Sequence, residues 1–256
     1  PSGALAAQMR DAQRMALSKA SEVSRDIAIK QADLEQANVK HAIEHRPTIS
    51  GYTTTLDCIK QGYPYEQCIR SMLAFCDQVV VVDGGSTDGT WEALQALERE
   101  DPARVVAVSR PRDWTDPRFA VFDGEQKAHA RSLCTGDLCW QMDCDEVVHE
   151  DDLDKIRRLA AEIPRGVEVV SLPVIEYWGG EDKVRVDVAP WKWRLSRNDP
   201  RITHGIPAHL RRTDSQGRAC AAPGTDGCDM IYRDTGEPVP HVSFYTPDVE
   251  AVRRQA

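Results

Sequence analysis

The sequence is short of aromatic residues, at 6%, and short of base. Against 41 Asp and Glu stand 32 Lys and Arg, a formal charge of −9 over 256 residues. A phosphate backbone or an anionic bilayer needs a basic stripe, and none is present, which argues against nucleic-acid and electrostatic membrane binding. No run of eighteen apolar residues occurs and no basic-then-apolar leader opens the chain, so neither a membrane span nor a signal peptide is expected. The eight cysteines contain no CxxC pair and no Cys/His grouping at zinc spacing. Several lie inside apolar stretches such as Leu138-Cys139-Trp140, where a thiol behaves as a small hydrophobe. Reduced, buried cysteines in a cytoplasmic protein are therefore expected. What remains, 41% hydrophobic and 29% charged, is a globular mixture able to build one sizeable core.

Residues 4–45 form a polar, Ala-rich stretch with Leu5, Met9, Ala12, Ala16, Val23, Ile27, Leu34 and Ala37 at helical spacing, and the first aromatic residue of the chain is Tyr52. That stripe is too thin for a core of its own. The expected organisation is an N-terminal helical arm over 1–46, packed on the body or on a second copy, and a domain over 47–256. Pro1 at the start and a helix-like segment at 248–256 read as part of a longer protein.

After Arg46-Pro47 short apolar runs alternate with helical segments. Strands are expected at Ile49–Thr54, Val79–Val82, Val105–Val108, Leu138–Met142 and Val167–Val174. Helices are expected at Tyr65–Phe75, Thr87–Arg99, Glu125–Cys134 and Asp151–Ile163. The alternation predicts right-handed βαβ units and an open, mainly parallel sheet flanked by helices, with ligands at the carboxyl ends of the strands.

Two strand ends carry chemistry. In Val82-Asp83-Gly84-Gly85-Ser86-Thr87-Asp88-Gly89 a carboxylate closes a buried strand and glycines let the backbone turn close to a ligand. This is neither a Walker loop nor a GxGxxG fingerprint. In Met142-Asp143-Cys144-Asp145-Glu146 three acids crowd into four residues at the end of another strand. Such crowding is repulsive, and a hard divalent cation, Mn²⁺ or Mg²⁺, sharing its coordination with substrate phosphates explains it best. Strand alternation would point Asp143 and Asp145 to one side and Cys144 to the other.

These two motifs, with Gly136-Asp137 leading into the second, resemble glycosyltransferase family 2, inverting enzymes of the GT-A type nucleotide-diphosphosugar transferase fold. The resemblance spans roughly residues 47–247. It implies a metal-dependent transfer of a sugar from a UDP- or GDP-sugar donor to a hydroxyl of a glycan or glycoconjugate acceptor. It implies that Asp83 bonds the base with Thr53 or Thr54 beside it, that Asp143 contacts the ribose or the metal, and that Asp145 coordinates the metal. Lys127 and Arg131, one helical turn apart, would approach the nucleotide. Trp191-Lys192-Trp193-Arg194 would line the acceptor and diphosphate region, with Arg194 on the diphosphate. His209, or after it His204, would add a third metal ligand. Gly224-Thr225-Asp226-Gly227-Cys228-Asp229-Met230-Ile231-Tyr232-Arg233 keeps the glycine, two aspartates and the arginine of the segment that supplies the general base in such enzymes, with Thr225 in place of its Glu and the second aspartate one residue late; the resemblance implies Asp226 as base first and Asp229 second. The acceptor implied is a growing polysaccharide or similar glycoconjugate on the cytoplasmic side, with membrane association only through that acceptor.

Two other readings stand beside this one. A sugar-1-phosphate nucleotidyltransferase would need a glycine-rich basic loop after the first strand, where Ser50-Gly51-Tyr52-Thr53-Thr54-Thr55 stands instead. A non-catalytic sugar-nucleotide or glycan binder would have no reason to keep clustered acids.

Overall fold

The computed structural model describes residues 46–115, 119–164, 166–180, 182–186, 191–205, 212–213, 219–220, 231–233 and 241–243, with isolated helical positions at 19, 24, 25 and 30. The chain divides into two compact units, Pro1–Arg46 and Pro47–Ala256, and the elements below belong to the second. The helical arm expected over 1–46 lies, those four positions apart, outside the described residues.

The order is β1 (Ile49–Thr55), α1 (Cys58–Gln61), α2 (Tyr65–Leu73), β2 (Gln78–Asp83), α3 (Thr90–Glu100), β3 (Val105–Ser109), α4 (Phe119–Ser132) and β4 (Leu138–Gln141). A single 3-10 turn, Glu150–Asp152, then leads into α5 (Leu153–Glu162). It is followed by β5 (Val169–Pro173), β6 (Trp191–Arg197), β7 (Ile202–His204), β8 (Arg212–Thr213), β9 (Ala219–Cys220), β10 (Ile231–Arg233) and β11 (His241–Ser243). Seven strands form the main sheet in the order β11-β5-β6-β4-β1-β2-β3, while β7 pairs with β10 and β8 with β9.

The valine run explains the layering. Val79, Val80, Val81 and Val82 are all fully buried, so β2 must be covered on both faces. Val79 and Val81 pack with Cys68, Met72, Leu94 and Leu97 of α2 and α3, whereas Val80 and Val82 pack with Tyr52, Ala130 and Cys139 on the α4 side. The expected three-layer α/β sheet is thus present, with one difference. β6 is antiparallel to both neighbours, β4 and β5, while β1, β2, β3 and β4 are mutually parallel and β11 is parallel to β5. The run Trp191 to Arg194, read as acceptor region, is therefore sheet, and Trp193 packs against the cluster of Val169, Ile202 and Ile231.

Two helix starts differ from the sequence reading. α3 begins at Thr90 rather than Thr87, because Asp88 Oδ1 accepts from the Thr90 amide and hydroxyl at 3.0 and 2.6 Å while its Oδ2 accepts from the Lys60 amide at 2.7 Å. α4 begins at Phe119 rather than Glu125, running through Gly124. A glycine there is a packing requirement: a Cβ on Gly205, whose φ is +75°, would lie 2.5 Å from Gly124 Cα. Helix and β7 meet backbone to backbone at this point.

Gly205→Ala combines left-handed strain with a clash against backbone that cannot swing aside, and should cost about 2–4 kcal/mol in urea unfolding. Gly179, at φ +71° with open space around it, supplies the control: its alanine variant should lose only about 1 kcal/mol.

Candidate active site

Parallel pairing of β1 with β2 and β4 brings both sequence motifs to one sheet edge. The register sets Thr55 beside Asp83 and Tyr52 beside Gln141, so the chain leaves all three strands at their carboxyl ends side by side. That edge is where open α/β sheets bind ligands.

Asp83 is fully buried at this edge, and its carboxylate is saturated. Oδ1 accepts from Thr55 Oγ1 at 3.0 Å and Ser86 Oγ at 2.6 Å. Oδ2 accepts from the amides of Gly85 and Ser86 at 2.9 and 2.8 Å. Four bonds use the acceptor capacity of a carboxylate. Asp83 thus shapes the 84–86 loop through these four bonds. Asp57, the one non-glycine residue with positive φ among the described residues, holds the same loop: its amide donates to Ser86 Oγ and its carboxylate accepts from the Thr87 amide, both at 2.8 Å. Trp114 completes the clamp. Its indole Nε1 donates to Gly84 O at 2.9 Å, and its ring lies so close over Gly84 that a Cβ there would sit 2.8 Å away. Trp114 gives little sign of this role in the sequence, where it is a lone tryptophan in a polar loop after a strand.

Thr53 and Thr54 separate across the sheet. A Cβ on Gly51 would touch Met72 and Cys76 of the α2 layer, whereas Tyr52 packs on the α4 side. Alternation then puts Thr53 toward α2, buried, with no partner for its hydroxyl among the described residues, and half-buried Thr54 toward α4. Thr54 is the one on the Lys127 face.

The acidic segment is not strand. β4 stops at Gln141 and residues 143–146 turn, the Glu146 amide donating to Asp143 O at 3.1 Å. Alternation therefore does not govern Asp143, Cys144 and Asp145. A ring of polar bonds does. Lys127 Nζ lies 2.9 Å from Asp143 Oδ1 and 3.3 Å from Asp123. Gln141 Nε2 donates to Asp143 Oδ1 at 2.9 Å, and Arg194 Nη1 donates to Gln141 Oε1 at 2.7 Å. Arg194 Nη2 pairs with Glu146 Oε1, and Glu146 Oε2 accepts from the Asp143 amide at 2.9 Å, closing the ring.

The three acids differ in consequence. Burial would raise the Asp143 carboxyl, but the charges of Lys127 and Arg194 and the hydrogen bonds from Lys127 and Gln141 hold it well below the usual carboxylate range. For Glu146 burial prevails over Arg194, and its pKa is raised. Desolvation, and after it the charge of Asp143, pushes Asp145 up as well. Asp145 is exposed and forms no ion pair among the described residues. With no cation paired to it among these residues, it is the acid of the cluster most open to a ligand, and hard carboxylate oxygens in a site of surplus negative charge fit a divalent cation. Among the described residues no group of three His, Cys, Asp or Glu side chains could hold a metal unaided.

Other expected site residues sit elsewhere. Arg131 does not join Lys127. It is buried and donates to Ile202 O at 3.1 Å, Ser196 Oγ at 2.7 Å and Arg197 O at 2.6 Å, fastening α4 to β6 and β7. Arg194 is also enclosed, its side chain 4% exposed, and it braces the acidic turn through Gln141 and Glu146. His204 is buried with Nδ1 3.0 Å from the Tyr52 hydroxyl, in the core beneath α4. His209, Asp226 and Asp229 lie outside the described residues.

Residues 65–210 match Glycosyl transferase family 2. The chain belongs to that family, and with it to the glycosyltransferases. No curated protein matches it. Among solved structures it is similar to TarS 1-349 of S. aureus, at 18% identity over 59% of this chain and 47% of that one, with a TM-score of 0.42. It is also similar to the mannosyltransferase PcManGT of Pyrobaculum calidifontis, solved with GDP-Man and Mn²⁺, at 20% identity over 51% of this chain and 36% of that one and a TM-score of 0.40. A third is glucosyl-3-phosphoglycerate synthase of Mycobacterium tuberculosis with Mn²⁺, UDP and glucosyl-3-phosphoglycerate, at 18% identity over 59% and 57% and a TM-score of 0.37. The chain spans about half the length of the TarS fragment.

Arg194→Met leaves Glu146 buried without its cation and should destabilise the domain by about 3–5 kcal/mol in urea unfolding. Adding Glu146→Met should recover much of that loss, because the uncompensated charge is then gone.

Proposed function

We propose that this protein is a metal-dependent, inverting glycosyltransferase that moves a sugar from a UDP- or GDP-sugar to a hydroxyl of a glycan or glycoconjugate. The observation that carries the reading is the inequality of the acidic cluster: Asp143 is neutralised by Lys127, while Asp145 next to it is open and pushed up. A site that lacked only a structural counter-ion would pair both. Asp145 would hold Mn²⁺ or Mg²⁺, with Asp143 and His209 as the further candidates, the remaining positions falling to the donor's phosphates. When bound, the metal supplies charge compensation for the departing nucleoside diphosphate.

The protein's own residues divide the rest of the work. The 84–86 loop, fixed by Asp83, Asp57 and Trp114, offers the base a rigid wall instead of a free carboxylate, and Thr54 faces the same edge. Lys127 holds Asp143 ionised, so its second oxygen can accept from a ribose hydroxyl or a metal-bound water. Asp226, or in its place Asp229, takes the proton of the acceptor hydroxyl as that oxygen attacks the anomeric carbon opposite the leaving group. The configuration at that carbon inverts. Among the described residues no helix is long and apolar enough to cross a membrane. The six described cysteines, Cys58, Cys68, Cys76, Cys134, Cys139 and Cys144, are free thiols, which supports a cytoplasmic place of action.

Calorimetric titration of UDP and GDP with and without MnCl₂ tests the donor half. One nucleotide should bind only with metal, and Asp145→Asn should weaken that binding by roughly tenfold or more, about 1.4 kcal/mol, without lowering the melting temperature. Equal affinity in EDTA would remove the metal from the reading. Slow hydrolysis of the matching nucleotide-sugar without acceptor separates an enzyme from a binding module, and Asp226→Asn should abolish transfer, read as appearance of product of inverted anomeric configuration by NMR. A variant that is folded and fully active would pass the role of base to Asp229.

A further inference from the structure

We propose that Cys58 and Cys144 are a disulfide-forming pair, and that the bond between them shuts the donor site. The effect on the site rests on the donor reading above; the bond itself does not. The two sulfurs are 3.7 Å apart, brought together from segments far apart in sequence. Cys58 opens α1 directly after Asp57, the residue that holds the 86–87 loop. Cys144 stands between Asp143 and Asp145.

The neighbouring thiols are differently engaged. Cys68 donates to Asp143 O at 3.4 Å and Cys134 to Ala130 O at 3.6 Å, while Cys134 and Cys139 lie within the core beneath α4, 8% and 0% exposed. Cys58 and Cys144 face each other at the functional edge, and they differ in access: Cys144 is half-buried and Cys58 fully buried. That difference orders the chemistry. A low-molecular-weight disulfide is attacked first by the Cys144 sulfur, forming a mixed disulfide and releasing one thiol. The Cys58 sulfur, already in contact, then attacks Cys144 Sγ and expels the second thiol. The protein loses two electrons and two protons, which leave on the two small thiols, and the small disulfide is reduced.

Closure moves the site. A disulfide is about 2.05 Å long, so the sulfurs must approach by ~1.7 Å from their 3.7 Å separation. Whatever part of that shift rotation of the two side chains does not supply is drawn from the backbone at Cys144, and so from Asp143 and Asp145 on either side of it. The bond ties the acidic turn, with its 2.9 Å Lys127 contact and the open face of Asp145, through Asp57 to the loop on the other side of the edge.

The test oxidises reduced protein with glutathione disulfide, blocks remaining thiols with iodoacetamide, maps peptides by mass spectrometry and titrates UDP and GDP with MnCl₂ in parallel. The expected result is a Cys58–Cys144 cross-linked peptide and a fall in nucleotide affinity of roughly tenfold or more, both reversed by dithiothreitol. Cys144→Ser should keep its affinity through the same oxidation, and Cys58→Ala should stop at the mixed disulfide on Cys144 with no cross-linked peptide. The proposal is overturned if both cysteines are still alkylated after oxidation, if oxidation stops at the mixed disulfide, or if the cross-link is confined to Cys134 and Cys139. A Cys58–Cys144 cross-link with unchanged affinity overturns the shut-off. Reduced protein that binds neither nucleotide overturns the donor reading, while the peptide map still decides the bond.

Discussion

Three carboxylates within four residues can be kept at a sheet edge only if something answers their charge. Two unit charges 4 Å apart in a protein-like dielectric interact by about 4 kcal/mol, comparable to a large part of a domain's stability. Here the answer is asymmetric. Lys127 comes from α4, Arg194 from β6, and Gln141 from the strand itself, and together they settle Asp143 and Glu146 while Asp145 is left over. Much of the architecture serves that arrangement. α4 is held at its height above the sheet by Arg131 bonding the backbone of β6 and β7, and by the glycine contact between Gly124 and Gly205. β6 is laid beside β4 so that Arg194 falls next to Gln141.

The two halves of the edge are built on opposite plans. On the β2 side the carboxylate of the turn is fully engaged, with Asp83 accepting four bonds and Trp114 closing over Gly84. On the β4 side the turn keeps one acid in reserve. A loop whose carboxylate is already engaged recognises by shape, whereas an open carboxylate recognises by charge. A donor made of a flat base and a diphosphate presents those two properties at its two ends.

Much of this was legible in the sequence, for identifiable reasons. The valine run of β2 can only be a strand covered on both faces, and alternation of strands with helices implies that Asp83 and Asp143 end at the same edge. The crowding of Asp143, Asp145 and Glu146 is a local signal that needs no partner to be read. What was not legible depends on residues distant in sequence. Arg131 and Lys127 are equivalent on a helix wheel, and only the placement of β6 and β7 makes one a fastener and the other a counter-charge. His204 looks like a ligand until Tyr52 is seen to take its ring nitrogen. The turn at Asp143 is local by contrast, made by Glu146 reaching back to the Asp143 amide, and carrying strand alternation past Met142 to Asp145 hides it.

The insertion of β6 also bears on how the protein is made. β1 to β4 and their helices are contiguous in the chain, and a ribosome delivers them, acids included, well before Arg194 emerges. β6 must then enter between β4 and β5, pairing Trp140 with Leu195 and Val170 with Leu195 on its two sides. Until it does, the acidic turn has one cation instead of two and β4 has a bare edge. Long-range pairing of this kind forms late. The frame of the acidic turn is thus completed only once β6 has been made, and a nascent chain stopped short of β6 carries the full acidic motif without the frame that holds it.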